Sequence, residues 1–398
     1  MERRRTVRDG TLFDAAVVGG GPAGVATALG LAQRGVRTAL ITGPERTRDQ
    51  RTTALMDGSV QILSRYGLWD RLSSHAAPLR DLRIVDATRR LVRAPEVTFR
   101  SHEIGLEAFG YNIENDVLRR ELMAAATEVP LLTVMSASLE NLTVGRESAA
   151  LQLDTGETVE ARLVVAADGR SSKVRACLGI DVRTRAYPQV ALTFTVRHTR
   201  PHEDISTEFH TETGPFTLVP LPGNRSSIVC VVDDRQAVNI LGLDTPALAR
   251  ELERRAFSLL GAFELEDNKG AFPLAAETAT QLVSDRVALM AEAAHVMPPI
   301  GAQGLNLGLR DADAIVSLAA DAVAQGMDPG AEALLSRYSE GRSRDIEARM
   351  RAVDLLNRSL LSDLVPVQGA RGLGLYLLDR FAPLRRRLMR LGVGAKAA

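Results

Sequence analysis

The sequence predicts an α/β fold in which a parallel-sheet domain is interrupted by an antiparallel-sheet domain and followed by a helical C-terminus. Three observations carry this. A strand–glycine turn–helix–strand unit occupies residues 13–42. Short alternating apolar runs fill residues 187–272, and a strand with a glycine-rich loop returns at residues 286–313. The first domain is therefore left and then re-entered.

Taken in order, Phe13 to Val18 reads as a buried strand, Gly19 to Gly24 as a tight turn, and Pro22 to Arg34 as an Ala/Leu-rich helix stopped by Gly35. Val36 to Ile41 closes the unit at about 30 residues, the length of a Rossmann-like nucleotide-binding half. Asp49 to Leu72 reads as helical, from the spacing of Leu55, Val60, Ile62, Leu63 and Leu68, with Gly67 as a stop. Asn115 to Thr127 is a further helix. Ala149 to Val165 is a hairpin about Asp154-Thr155-Gly156, and Leu163 to Ala167 is a buried strand. Leu192 to Val196, Phe216 to Pro220 and Ser227 to Val232 alternate as antiparallel strands do, and Thr245 to Leu260 reads as a helix laid on them. From Ala331 the chain is helical, with breaks at Pro366 and Pro383. The expected division is 1–75, 111–183 and 275–330 for the nucleotide-binding domain, 76–110 and 184–274 for the antiparallel-sheet domain, and 331–398 for the helical segment.

Bulk properties narrow the function classes. Lys+Arg and Asp+Glu balance at 49 each, so the basic stripe of a nucleic-acid binder is not expected. Aromatic residues are 4% of the chain, too few to favour base-stacking platforms. Cys177 and Cys230 are isolated, which argues against a disulfide framework and for a reducing cytoplasm. The basic start (Arg3, Arg4, Arg5, Arg8) lacks the apolar run of a secretory signal, and no uncharged apolar run approaches the ~18 residues of a membrane span.

Three motifs carry chemistry. The first is Gly19-Gly20-Gly21-Pro22-Ala23-Gly24, a G-x-G-x-x-G pattern between strand and helix. Gly19 permits the turn, Gly21 admits a pyrophosphate to the backbone, Gly24 lets helix pack on strand, and the helix N-terminus attracts the phosphate charge. Such a site normally has an acidic residue about 20 positions on to hold the ribose. Here Thr42 stands there, with a hydroxyl but no charge. The second motif is Ala166-Ala167-Asp168-Gly169-Arg170-Ser171, directly after a buried strand. The third runs from Arg286 through Ala291-Glu292-Ala293-Ala294-His295 and Pro298-Pro299-Ile300-Gly301-Ala302-Gln303-Gly304-Leu305-Asn306 to Asp311. Its double proline and glycines suggest a ligand lying close to the chain. His198, His202 and His210 lack a matching set of ligands, so no metal site is expected.

In this order and spacing, over roughly residues 13–345, the motifs resemble those of the class A flavoprotein monooxygenases of the para-hydroxybenzoate hydroxylase fold. Within that family the ubiquinone-biosynthesis hydroxylase branch is most similar, through Pro298 to Asp313, Tyr111-Asn112-Ile113-Glu114-Asn115, and Gly214-Pro215-Phe216 before Pro220-Leu221-Pro222-Gly223. The resemblance implies an FAD-binding domain and hydroxylation of a phenolic ring through a flavin C4a-hydroperoxide. O₂ is the oxidant and NAD(P)H a transient reductant without a Rossmann unit of its own. It implies that Gly19, Gly21, Pro22, Ala23 and Gly24 hold the FAD pyrophosphate, with Thr42 at the ribose. Arg51, Arg119 and Asp168 fall where the family contacts cofactor or its binding loop. Glu292 falls on the ribityl chain, and Gly301, Gln303, Gly304, Leu305 and Asn306 against the isoalloxazine. The family has Gly-Asp where this chain has Ala291-Glu292, which re-aims the ribityl contact. The resemblance further implies a substrate pocket at Tyr187, Gln189 and Phe216, and His295 and Pro298 beside the reacting centre. For His295 both a catalytic role and a structural hydrogen bond stay open.

The implied substrate is an aromatic, polyprenylated ubiquinone precursor. The tail, Leu373 to Leu378 and then Phe381 to Arg390, combines apolar residues with Arg385, Arg386, Arg387 and Arg390. It reads either as a helix docked on the body or as peripheral contact with an anionic inner-membrane surface. Two rivals stay open. One is an FAD enzyme acting on a soluble aromatic or transferring electrons. The other is a redox-inactive flavin-fold scaffold in a biosynthetic complex, motivated by Thr42 and Ala291-Glu292.

Overall fold

A computed structural model of the protein describes residues 12–44, 49, 51–88, 93–299, 301–361, 372, 374, 376–378 and 380–393. The early arginines Arg3, Arg4, Arg5 and Arg8, together with Ile300, Pro366 and Leu373, lie outside the described residues. The chain opens with β1 (Leu12–Val18), α1 (Pro22–Gln33) and β2 (Thr38–Ile41). Then follow β3 (Thr52–Met56), α2 (Asp57–Arg65), α3 (Trp69–Ser73), β4 (Ala77–Leu79), β5 (Asp81–Asp86), β6 (Val97–Arg100) and β7 (Gly110–Glu114). Next come α4 (Asn115–Glu128), β8 (Leu132–Met135), β9 (Leu139–Val144), β10 (Ala149–Leu153), β11 (Thr158–Ala166) and α5 (Lys173–Cys177). The antiparallel region is β12 (Val182–His198), β13 (Ile205–His210), β14 (Pro215–Leu221), β15 (Arg225–Val232), α6 (Asp234–Leu241), α7 (Thr245–Arg255) and β16 (Phe263–Ala279). The chain returns through β17 (Val283–Ser284), β18 (Val287–Leu289), α8 (Ala291–Ala294) and β19 (His295–Val296). It finishes with α9 (Gln303–Ala324), α10 (Glu332–Leu361) and α11 (Ala382–Val393).

The first sheet runs β17-β18-β11-β1-β2-β8, with β1 parallel to both β11 and β2. Its strands are apolar on both faces because helices cover both, which is why Ala15, Ala16 and Val17 are all fully buried. The helix α1 is buried along nearly its whole length for the same reason, wedged between this sheet, α4 and α9. The second sheet runs β19-β16-β12-β15-β14-β13-β5-β6. Here parity separates two faces. Leu192, Phe194, Ile228, Cys230 and Val232 pack under α6 and α7, while Ala191, Val231 and Leu274 form a cluster on the other side. A small third sheet, β3-β7-β4, stands against β14.

Two expectations are corrected. The helix expected over Asp49 to Leu72 begins instead with the strand β3, whose residues Thr52 to Met56 pair with Glu114 to Gly110 of β7, and helix starts only at Asp57. A distant partner strand outweighs the local helical spacing of Leu55. The helix expected to reach Leu260 ends at Arg255, because Phe257 and Ser258 turn to φ of 52° and 50°. Its N-cap is Asp244, whose Oδ1 accepts the Ala247 amide at 2.8 Å. Pro383 lies in the first turn of α11, a position that proline tolerates.

Candidate active site

The turn after β1 is built by close backbone approach. Gly19 has φ of +133°, and a Cβ there would fall 2.1 Å from the Ala167 carbonyl oxygen. A Cβ on Gly24 would fall 2.2 Å from the Gly19 oxygen. Gly21 differs: a Cβ there would meet nothing within 4 Å among the described residues, so this side of the turn is open. Pro22 occupies the first position of α1, where its missing N–H costs nothing, and the amides of Ala23 and Gly24 follow in the first turn. Asp168 uses Oδ2 to accept the Val174 amide at 3.0 Å, while its buried Oδ1 has no partner among the described residues. Half-buried Arg119 on α4 makes no ion pair among them. An open glycine face, a helix N-terminus and an unspent carboxylate oxygen fit the phosphates and ribose of FAD. Thr42 donates its hydroxyl to Gly43 or Met135 carbonyl oxygens at 3.1 and 3.3 Å, which leaves it lone pairs for a ribose hydroxyl and no charge. Arg51 is committed to Asp49 by two bonds of 2.7 Å and stacks its guanidinium 5.0 Å from the Phe272 ring centroid.

Past β18 the chain tightens again. Ala291, where the resembled family has glycine, adopts φ of 48°, and its amide donates to Asp311 Oδ2 at 3.0 Å. Glu292 is exposed and free of hydrogen bonds among the described residues, near enough to Arg51 and Arg170 to act on both electrostatically. His295 is buried, with Nε2 donating to Asp311 Oδ2 at 2.6 Å and Nδ1 left unpartnered among the described residues. Arg342 of α10 donates Nε to Asp311 Oδ1 at 2.7 Å and Nη1 to Asp345 at 2.9 Å. Burial alone raises the Asp311 pKa, but His295 and Arg342 together hold it below its ordinary value. This geometry favours the structural role for His295. Asp311 and Arg342 were not singled out from sequence, though Asp311 ends the third motif.

Pro298 is buried, and Gly301 turns at φ of 68°. Gln303 donates to the Gly301 oxygen at 2.9 Å and accepts from Arg349 at 2.5 Å. Gly304 is exposed with open space where a Cβ would be, and Leu305 leans on the core of the first sheet. Asn306 differs from what the flavin contact implied. Its Oδ1 accepts the Met56 amide and the Ser59 hydroxyl at 2.8 and 2.6 Å. Its Nδ2 donates to the Ala54 and Ala302 oxygens at 2.7 and 2.6 Å. All four amide bonds are used, so Asn306 clamps the loop to β3 and its side chain has none left for a ligand.

Through α10 the loop is tied to a seam with the second sheet: Arg349 of that helix bonds Gln303, and Asp354 bonds Tyr187, which packs with Ala191, Val231 and Leu274. Tyr187 packs on that side, where the β12–β16 register shifts between Ala186 and Val190, and Gln189 lies in the same irregular stretch. The Tyr187 hydroxyl bonds Asp354 at 3.0 Å; burial and then that carboxylate push its pKa up to about 12. Gln189 donates to the Thr213 oxygen at 2.7 Å and accepts from Asn357 at 3.1 Å. Phe216 corrects the expectation: it lies on the opposite face, 1% exposed, packed with Phe209 under α6 and α7 and remote from any pocket on the loop side. At the seam's edge Arg225 of β15 is closed by Glu266 at 2.7 Å and Glu114 at 3.1 Å. The three histidines are spent locally: His198 on Arg200 and Ser226, His202 on Leu221 and Gly223, His210 on Glu208.

Residues 13–353 match the family described as FAD binding domain. The chain is 36% identical over 391 residues to ubiquinone hydroxylase UbiL of Rhodospirillum rubrum, covering 96% of this chain and 89% of that one. It is 31% identical to the 3-demethoxyubiquinol 3-hydroxylase of Escherichia coli, over 95% of this chain and 98% of that one. The crystal structure of p-nitrophenol 4-monooxygenase PnpA from Pseudomonas putida shares the fold, with a TM-score of 0.79 at 18% identity over 97% and 99% of the two chains. Together with the glycine cradle and the Asp168 turn, these matches show that the chain belongs to the FAD-binding monooxygenase family, in the group that contains the ubiquinone hydroxylases.

Proposed function

We propose that this FAD-dependent monooxygenase hydroxylates the ring of a neutral, polyprenylated phenol, a precursor of ubiquinone, using O₂ and NAD(P)H. The observation that carries the substrate class is the chemistry of the seam. Its second-sheet side is made of Ala191, Val231 and Leu274 with Tyr187 and Val229, and the Arg225 cation at its edge is neutralised by two carboxylates. Such a surface accepts an uncharged aromatic ring and, among the described residues, offers no free cation there for a carboxylated one.

The FAD supplies reducing equivalents from NAD(P)H and activates O₂. The protein's residues do the rest. Gly19, Gly21 and Gly24 with the α1 N-terminus would hold the diphosphate, and Asp168 and Thr42 would accept hydroxyl protons. Glu292, one methylene longer than aspartate, would reach the ribityl chain. The turn at Gly301 and Ala302 and the first residues of α9, fastened through Asn306 and Arg349, would bring the N-terminus of α9 to the seam. The exposed amides of that helix favour negative charge there. Buried Pro298 and the apolar sheet face exclude water.

The C-terminal helix supports a lipid substrate. Met389 and Val393 of α11 dock into a cluster with Leu79, Phe99 and Phe109, and Arg385 is pinned to Glu103 at 2.7 Å. Phe381, Leu384, Leu388 and Leu391 stay exposed in an apolar arc, flanked by exposed Arg386, Arg387 and Arg390. No helix among the described residues is long and apolar enough to cross a membrane, so contact with an anionic bilayer surface is the mode proposed. Reversing one charge in Arg387→Glu changes the surface attraction by roughly 2 kcal/mol, so binding to anionic vesicles weakens about thirtyfold. Flotation that is equal for both proteins refutes membrane contact. The function itself is tested by the visible spectrum of the purified protein and by NAD(P)H oxidation with polyprenyl phenols. Bound flavin, substrate-stimulated oxidation and an oxygenated product support it. A colourless protein that ignores added FAD moves the reading to the scaffold, and turnover confined to carboxylated aromatics refutes the substrate class.

A further inference from the structure

We infer that Asn112, assisted by Thr52, binds an oxygen substituent of the aromatic substrate and so sets which ring position faces the oxidant. The inference rests on the hydroxylase reading and names the side chain that recognises its substrate. Asn112 is fully buried, yet neither its Nδ2 nor its Oδ1 has a partner among the described residues; the same holds for the buried Oγ1 of Thr52. Buried amides are almost always bonded, and leaving both ends unmade is costly, so an unspent pair marks a place where a polar ligand is expected.

Strand parity gives the direction in which these groups face. In β7, Ile113 and Tyr111 turn toward the first domain, with Ile113 in its core and Tyr111 against Trp69. Gly110, Asn112 and Glu114 turn the other way, which the Glu114–Arg225 ion pair to β15 verifies. The register of β3 places Thr52 opposite Glu114 and Ala54 opposite Asn112, so Thr52 shares that face. The third sheet packs on β14 there, and Asn306, in the first turn of α9, bonds the backbone of Ala54 and Met56 along the free edge of β3. On either side of Asn112 the cross-strand neighbours are Ala54 and Ala77, both small and both buried.

The chemistry selects the ligand. An amide donates through Nδ2 and accepts through Oδ1, so it can hold a phenol as both acceptor and donor, or a methoxy or quinone oxygen as acceptor. It carries no charge to recruit a carboxylate.

The test compares the holoenzyme with Asn112→Leu, a swap of similar size that removes both polar ends. Binding is read from perturbation of the flavin spectrum and KM from NAD(P)H oxidation, with ortho-farnesylphenol and with farnesylbenzene, which lacks the oxygen. We expect Kd and KM for the phenol to rise about tenfold, with less product per NAD(P)H consumed and no change for farnesylbenzene. Flavin content and melting temperature should hold or rise, because an unsatisfied pair has gone. Equal losses for both probes, or a lower melting temperature without a phenol-selective loss, would mean that Asn112 serves the fold alone and overturns the inference. Should Asn112→Leu fail to fold, Thr52→Val carries the same test with an expected shift of about threefold, and no shift overturns it. A wild-type enzyme that binds both probes equally and oxygenates neither brings down the hydroxylase reading and this one together. Phenol hydroxylation that Asn112→Leu leaves untouched brings down this one alone.

Discussion

Replacing Asp311 by asparagine should destabilise the protein by about 3–5 kcal/mol, the penalty for breaking a buried ion pair from one side. Asp311 is completely buried and binds three groups: the Ala291 amide, His295 Nε2 and Arg342 Nε. Asparagine keeps the shape but withdraws the charge. Arg342, 7% exposed and with Nη2 already unpartnered among the described residues, would then rely on Asp345 alone. At about 2 cal/mol/K per residue of unfolding entropy, a chain of this length should lose about 4–6 °C in melting temperature. The acid limb follows from the sign of the shift. Because the folded pKa of Asp311 lies below its ordinary 3.8, its contribution is fully present above about pH 4 and is lost as the pH falls through the lower folded value. The variant should therefore lose stability across the neutral range while gaining a shallower acid limb. Flavin fluorescence during heating, run from pH 3 to pH 8 with denaturant titrations at pH 7, reads both. A D311N protein that melts within 1 °C of wild type, with the same acid limb, would show that the ion pair is no net support. A second arm tests the coupling: D311N with Arg342→Met should cost less than the sum of the two single changes.

Two more outcomes follow from backbone geometry. Ala291→Gly removes a side chain held at φ of 48°; relief of about 1–2 kcal/mol, less glycine's entropic cost of about 0.5–1, should stabilise by about 0.5–1 kcal/mol, read from the denaturation midpoint. Gly21→Ala places a methyl where no described atom lies within 4 Å, so the apoprotein's stability should hold within about 0.5 kcal/mol while FAD affinity falls at least tenfold. Flavin retention equal to wild type would refute the approach of the pyrophosphate at that glycine.

The parts of the site legible in the sequence were those whose constraint is local. The turn of Gly19 to Gly24 needs glycine for contacts within a few residues and with one neighbouring strand, so its spacing alone announced it. The spacing of residues 49–72 predicts helix over β3 because what makes it a strand is β7, about 60 residues away in sequence. The family resemblance places Phe216 in the pocket, but a strand's two faces cannot be told apart until its neighbours are known. Asp311 and Arg342 lie on different helices, and Asn306 is spent on groups some 250 positions earlier. Asn112 lies in the motif Tyr111 to Asn115, but only the strand register shows that its buried, unpartnered amide shares a face with Thr52 and Glu114.

The interleaving of the first two sheets bears on how the chain acquires its shape. The strand β11, which ends at Ala166, has its first residues paired with β10, but Val164 to Ala166 keep one side free until β18, beginning at Val287, arrives to pair with them. During synthesis roughly 120 residues separate the two, a delay on the order of ten seconds at ribosomal rates. Throughout that interval the nucleotide cradle has its glycines but only part of its floor. The antiparallel sheet is also incomplete, since β12 waits for β16 along nearly its whole length. The two halves of the active site are thus finished almost together, by the same stretch of emerging chain, and the edge exposed meanwhile is where a nascent protein of this kind needs shielding.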